Sequence, residues 1–484
     1  MCSFGAFRAL APFFALMMLA SLRLYALETD PASEYTGGET TVFATGRNAF
    51  SFPFANLDNE GRRRFAIGNS FFKRNWVQAP ASTTARDGLG PHFIARSCGG
   101  CHALDGRGAP PAVDPQSGES EPAVALLFRL SIPSKNPRQG VVPEPVYGGQ
   151  FNNAAIQGVK PEGRMRITYS EIRRRFTDGA PYVLQQPHYT PVDLAYGPMH
   201  EEAMLGPRIA PQLVGIGLIE AITDIQIELN AARQAEAGGQ VSGRVNRVYD
   251  VYSAAMRIGR FGWKANVATL AHQTAGAFNG DIGITTALFP EEPCTQAQLD
   301  CLKAVAAQAR IAEKTGETGP ELDQRTLREV VFYQATLAPA ARRGIDDPMV
   351  QQGETLFHLA GCAQCHRPSY ITGEPPFSEL SSGQAVGQKI WPYTDLLLHD
   401  MGPELADGRP DFEASGSEWK TPPLWGIGLI KDVNGHTRLL HDGRANGVLE
   451  AILWHGGEAG EARKHVLEMR KSERNALVRF VESL

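Results

Sequence analysis

The chain has no surplus of basic charge: 47 Lys and Arg stand against 52 Asp and Glu, for a formal net charge of −5. That balance excludes the broad positive field with which proteins hold nucleic acid or anionic lipid. Glycine and proline, 50 and 33 of 484 residues, are too few for a low-complexity chain, and the length supplies ample material for packed cores. Long apolar runs are also missing. The run over residues 9–20 follows Arg8 and precedes Leu24-Tyr25-Ala26. At about 12 residues it falls short of the roughly 20 that a spanning helix needs. It reads instead as the core of a secretory signal peptide over residues 1–26, with a small-residue cleavage site at its end. The expectation is export to the periplasm without stable membrane insertion afterwards.

Cysteine is scarce, and its placing is therefore informative. Of the seven, Cys2 falls in the leader, and four others form two identical arrangements: Cys98-Gly99-Gly100-Cys101-His102 and Cys362-Ala363-Gln364-Cys365-His366. C-x-x-C-H is the attachment pattern of c-type haem. Two thiols one helical turn apart can meet the two vinyl groups on one haem edge, and the adjacent His supplies its imidazole to the iron. A zinc ribbon would place its second Cys pair roughly 15 to 20 residues on, whereas these pairs lie 264 residues apart, each with His in the same place. A thioredoxin-like pair would sit in an alternating strand and helix pattern, which neither motif shows. Cys294 and Cys301 remain. In an exported chain they are most simply a local disulfide, against two free thiols or a reactive site.

Other features recur with the motifs. Phe93 precedes Cys98 by five residues, as Phe357 precedes Cys362. The stretch from Ala210 (A-P-Q-L-V-G-I-G-L-I) matches that from Thr421 (T-P-P-L-W-G-I-G-L-I) at seven of ten positions. Lys264-Ala265-Asn266 answers Arg444-Ala445-Asn446, and each half closes on an amphipathic pattern, Val330, Val331, Tyr333 and Leu337 in one and Leu477, Val478, Phe480 and Leu484 in the other. Four matches in the same order argue for duplication, with a first lobe over residues 27–342 and a second over 343–484. The first is longer, and its segments around 110–160 and 230–260, rich in Pro, Gly, Ser and Asn, read as loop insertions. The Arg runs at 62–64 and 173–175 read as solvated faces.

With these residues in view, the whole mature chain resembles the di-haem oxidoreductase (putative peroxidase, thiol oxidoreductase-like) family, related to bacterial di-haem cytochrome c peroxidases and MauG-like proteins. The resemblance is carried by C-G-G-C-H-A-L-D-G-R-G-A-P-P from Cys98, P-R-I-A-P-Q-L-V-G-I-G-L-I-E from Pro207 and G-R-F-G-W-K-A from Gly259. In the second half it is carried by L-L-L-H-D-M-G from Leu396, T-P-P-L-W-G from Thr421, L-H-D-G-R-A from Leu440 and L-E-A-I-L-W-H-G-G-E-A from Leu449. It implies a mainly helical fold of two cytochrome c-like lobes, each with one covalent haem held by Cys98, Cys101 and His102 or by Cys362, Cys365 and His366. It further implies that one haem takes electrons from a small cytochrome c or cupredoxin and the other reduces a small-molecule oxidant such as hydrogen peroxide. The relatives also carry calcium between the lobes, for which no residue is assigned here.

One departure from the relatives matters. They place Met, or Tyr in MauG-like proteins, directly before the H-D-G triplet, where this chain has Leu440, which cannot ligate. Met401, 35 residues after His366, is the first candidate for a sixth ligand; a thioether would raise the haem potential. His399 is its competitor, and packing in the core is the bland role for Met401. In the first lobe His188, Met199, His200 and Met204 all precede the A-P-Q-L repeat, and Met204 is retained as a candidate ligand. If none binds, the iron has a vacant face, and Glu201, Glu202, His200 or Gln273 are the acid–base candidates. Trp263, Trp391 and Trp425 read as pocket-filling aromatics rather than electron relays. Two other functions stay open: a non-catalytic di-haem electron carrier, and oxidation of a thiol or a metal ion.

Overall fold

The computed structural model describes residues 29–114, 120, 123–316, 319–377 and 382–484; the segment read as a signal peptide lies outside the described residues. Helix makes up 34% and strand 18% of the described residues, so the expectation of a mainly helical protein is overturned in favour of a mixed one. The strand comes largely from the long first half. Arg164–Arg175 and Pro181–Val192 form an antiparallel hairpin in unbroken register from Arg164 opposite Val192 to Arg175 opposite Pro181. Its cause is visible in the residues: Met165, Ile167 and Tyr169 recur on one face between exposed Arg164, Arg166 and Thr168, which is the period of a half-buried strand. Leu126–Ser131 pairs with Met204–Ile209, and Arg247–Asp250 with Ala255–Ile258. The segments read as loops therefore contain strands, because their many turn residues hide short alternating runs. Among the described residues every sheet has two strands.

The helices repeat one arrangement twice. Asn59–Lys73 packs on Gln324–Ala335, and Pro348–Leu359 packs on Lys471–Ser483. Each begins with a local stop for its free N–H groups: Asp58, Asp323 and Asp347 accept from backbone N–H groups of the first turn, and Arg470 N–H donates to Glu473. A glycine marks each crossing. A Cβ on Gly68 would lie 2.1 Å from the Glu329 carbonyl oxygen, and one on Gly353 would lie 2.0 Å from that of Ala476. One turn on, Phe72 and Phe357 occupy matching places. Their ring centroids are each 5.2 Å from Tyr333 and Phe480 respectively, and 6.3 Å from the imidazoles of His102 and His366.

Phe72, and not Phe93, is thus the counterpart of Phe357. Phe93 instead belongs to a two-residue strand against Ala154–Ala155. Residues 74–97 separate the first helix from its C-x-x-C-H, whereas Pro348–Leu359 runs almost into the second, and that insertion misaligned the sequence match.

The ten-residue repeat serves the same purpose in both halves. Gly215 and Gly426 have φ of +69° and +74°, a conformation that suits glycine. Their N–H groups donate to the carbonyls of Leu337 (2.9 Å) and Leu484 (3.1 Å), tying each repeat to the end of its closing helix. One hydrophobic core, with Phe50, Phe54, Phe480 and Leu484 among its members, runs through both halves. A smaller core around Phe128, Tyr147 and Ile167 underlies the long hairpin. Among the described residues no helix is long and apolar enough to cross a membrane.

The crossings make a direct prediction. Gly68→Ala and Gly353→Ala should each lower stability by about 1–3 kcal/mol, because the added methyl meets backbone that cannot turn aside. Thermal melts of the two variants would measure this, and unchanged midpoints would show that the helices part at no cost.

Candidate functional site

The second C-x-x-C-H borders a cavity of about 590 Å³. Its walls come from both halves: Cys362, Cys365, His366, Met401, Leu440 and His455 from the second, and Arg107, Pro211, Gln212 and Trp263 from the first. His366 Nδ1 donates to the Tyr393 carbonyl at 3.0 Å, which leaves Nε2 with its lone pair. Burial lowers the pKa of His366 to about 4, so the imidazole is neutral. Burial also raises the Cys362 thiol to about 12 and shifts Cys365 upward. A thiol–disulfide exchange pair needs the opposite shift.

The first motif forms a short helical turn, Cys98–Cys101. His102 Nδ1 donates to the Pro211 carbonyl at 2.8 Å, and burial lowers its pKa as it does for His366. Burial raises the thiols of Cys98, to about 12, and of Cys101. What distinguishes this motif is a carboxylate. Asp281 acts electrostatically on Cys98, Cys101 and His102. Gln150 Nε2 donates to Asp281 Oδ1 at 3.0 Å, and Arg129 lies 3.8 Å from the same oxygen. Burial raises the pKa of Asp281 against the opposing pull of Arg129 and Gln150. The N–H groups of Ile94 and Ala95 donate to the Asp281 carbonyl, at 2.9 and 3.2 Å, and so fix this segment just ahead of the motif.

The structure sets the other candidates apart from this cluster. His200, Glu201 and Glu202 stand on an exposed turn, where Glu202 N–H donates to His200 Nδ1 at 3.2 Å. His200 and Met199 line a separate cavity of about 390 Å³. Met204 opens a strand opposite Ser131, Gln273 is half-buried on the Leu270–Ala277 helix, and exposed His188 is hydrogen-bonded with Ser170 Oγ. Beside the second motif, His399 Nε2 donates to Asp395 Oδ2 and Nδ1 to Glu458 Oε2, both at 2.8 Å. Burial opposes its proton, but these carboxylates prevail and raise its pKa, so neither ring nitrogen offers a lone pair. One ligand atom each of Cys365, Asp395 and His399 lie within 4.8 Å of one another, yet the imidazole is spent on the two acids. Met401 lines the large cavity. Cys294 and Cys301 are disulfide-bonded, with Cα atoms 5.9 Å apart. Trp263 and Trp425 line the cavity; Trp263 Nε1 donates to the Ile209 carbonyl at 2.8 Å.

The two motifs are joined by a short, buried path. Arg107, five residues after His102, donates from Nε to the Arg438 carbonyl at 2.8 Å and from Nη2 to that of Leu440. His436 Nε2 donates back to the Arg107 carbonyl at 2.9 Å, and Ile209 N–H to that of His441 at 2.6 Å. Burial lowers the Arg107 pKa to about 10. The long hairpin adds a second bridge: Tyr189 donates to Asp442 at 3.1 Å, Asp178 pairs with Arg474 at 2.7 Å, and Thr177 N–H donates to the Leu467 carbonyl at 3.1 Å.

The model of the family described as "Di-haem oxidoreductase, putative peroxidase" matches residues 31–151 and 192–484, and the chain belongs to that family. Residues 152–191, which carry most of the long hairpin, fall outside the match. Neither a curated protein nor a solved structure matches the chain. Haem is accordingly the cofactor, and the residues fit it. The cavity lies within the range of about 300–1,000 Å³ usual for bound ligands, and His102 and His366 each keep Nε2 free while a backbone carbonyl orients the ring, as metal-binding histidines do.

Of the residues gathered here, Asp281, Gln150, Arg129 and the bridging role of Arg107 were not found from sequence. The first three stand on three separate segments with no shared motif. Arg107→Ala should destabilise the protein by about 2–4 kcal/mol through lost charge-assisted hydrogen bonds, measured by denaturant unfolding; an unaltered midpoint would mean that the bridge carries no energy.

Proposed function

We propose that the protein is an exported, periplasmic di-haem c-type oxidoreductase in which the first haem reduces hydrogen peroxide and the second receives electrons from a small cytochrome c or cupredoxin. The leader-like start and the Cys294–Cys301 disulfide support export to an oxidising compartment. The observation that carries the division of labour is the asymmetry between the motifs: the first stands beside the Asp281, Gln150 and Arg129 cluster, while the second borders the large cavity.

Cys98 and Cys101, and likewise Cys362 and Cys365, hold a haem through thioethers, with His102 and His366 toward its iron. A haem held by Cys98, Cys101 and His102 would supply the electrons for peroxide reduction. The chain supplies the protons. Gln150 and Arg129 both engage Asp281 Oδ1, which leaves Oδ2 to carry a proton and pass it to the departing oxygen. Reduction of one peroxide takes two electrons and two protons and yields two waters. Arg129 steadies the carboxylate that remains, until a proton from water restores it.

Low-temperature EPR and optical spectra, recorded on the oxidised and half-reduced protein with and without peroxide, test this reading. A high-spin ferric signal perturbed by peroxide in either redox state is expected. Two low-spin haems that ignore peroxide in both states would instead make the protein an electron carrier. Asp281→Asn should lower peroxide turnover about 100-fold or more with haem content unchanged, and the residual activity should lose its decline at high pH, where the wild-type acid gives up its proton.

A further inference from the structure

This inference rests on the reading that Cys362, Cys365 and His366 hold the second haem, and it concerns what lies opposite His366. Leu440 lines the cavity but offers no donor atom. His399 lines it with both ring nitrogens given to Asp395 and Glu458. His441 also lines it, but its ring is stacked face to face on Trp419 with centroids 3.8 Å apart, and its Nε2 is buried 3.8 Å from Asp442 Oδ2. His455 differs from all three. At the end of the Val448–Trp454 helix, its Nδ1 donates to the Ala451 carbonyl at 2.7 Å. This is the same ring-orienting bond that His102 and His366 make to Pro211 and Tyr393, and it leaves Nε2 with a lone pair and no hydrogen-bond partner among the described residues. His366 and His455 line the same cavity.

We propose that His455 Nε2 is the axial ligand opposite His366. Met401 stands beside it: a Cβ on Gly456 would lie 2.9 Å from the Met401 carbonyl, so the H-G-G-E turn and Met401 share one wall and compete for one iron face. An imidazole there, in place of a thioether, gives the second haem a lower potential than a Met/His pair would, and its electron donor must be correspondingly reducing.

Covalent haem is counted first: two per chain are expected, and fewer would overturn both this assignment and the function above. In the holoprotein, EPR and near-infrared spectra should show the second haem low-spin without the charge-transfer band of an iron–thioether bond. His455→Ala should convert that haem to high-spin, added imidazole should return it to low-spin, and His455→Met should bring in the thioether band with a raised potential. Met401→Ala and Lys420→Ala, the latter removing the lysine amine on the cavity wall, should leave the spin state unchanged. A low-spin His455→Ala protein, or loss of the low-spin signal in either of the other variants, overturns the assignment while leaving the peroxide response of the first haem to be judged separately.

Discussion

The close crossing of two helices at a glycine is the constraint on which the rest of the structure depends. At Gly68 and again at Gly353 two backbones approach so nearly that no side chain fits between them. That contact sets the depth at which Phe72 and Phe357 enter, and each phenylalanine then backs the imidazole of its own C-x-x-C-H. The closing helix in each half is fixed in turn by the repeat at Gly215 or Gly426. The position of each imidazole is thus inherited from a backbone contact some distance away, and the surrounding loops are free to differ.

They do differ, and the differences divide the labour. The second half places its motif against a cavity whose walls are completed by residues of the first half. The first half places Asp281 beside its own motif, on the Phe278–Ile282 turn that follows the Leu270–Ala277 helix. Arg107 joins the two, reaching from the chain just after His102 to the carbonyls that flank Leu439. A charged side chain buried to this degree is tolerated because carbonyl oxygens receive its N–H groups. It also lends the path between the sites a fixed geometry, since guanidinium bonds are directional.

Much of this was legible as short strings of residues. The two C-x-x-C-H motifs, the ten-residue repeat and the spacing of the closing helices all reappear as physical contacts at matched places. The failures share a cause. Phe93 matched Phe357 in distance along the chain, but residues 74–97 intervene between the true counterpart and its motif, and linear spacing carries no information about an insertion. The strands at Leu126–Ser131 and Arg247–Asp250 lay in segments read as loops, because Pro, Gly, Ser and Asn around them masked short alternating runs. Asp281, Gln150 and Arg129 meet only because three segments fold together, so no local pattern announces them. His455 stood within a quoted motif, but its free nitrogen is a property of a hydrogen bond and not of the string L-W-H-G-G-E.

The hairpin, most of which falls outside the family match, has a mechanical meaning. Rooted in the first half, it grips the second through Tyr189, Asp178 and Thr177, on the far side of the chain's midpoint from where it is encoded. Here a strap spans the seam, so that hinge-like opening of the two halves must first peel the hairpin from Asp442, Leu467 and Arg474. The insertion acts as a brace, and it shifts the compliance of the molecule from the seam between the halves to the loops around each motif.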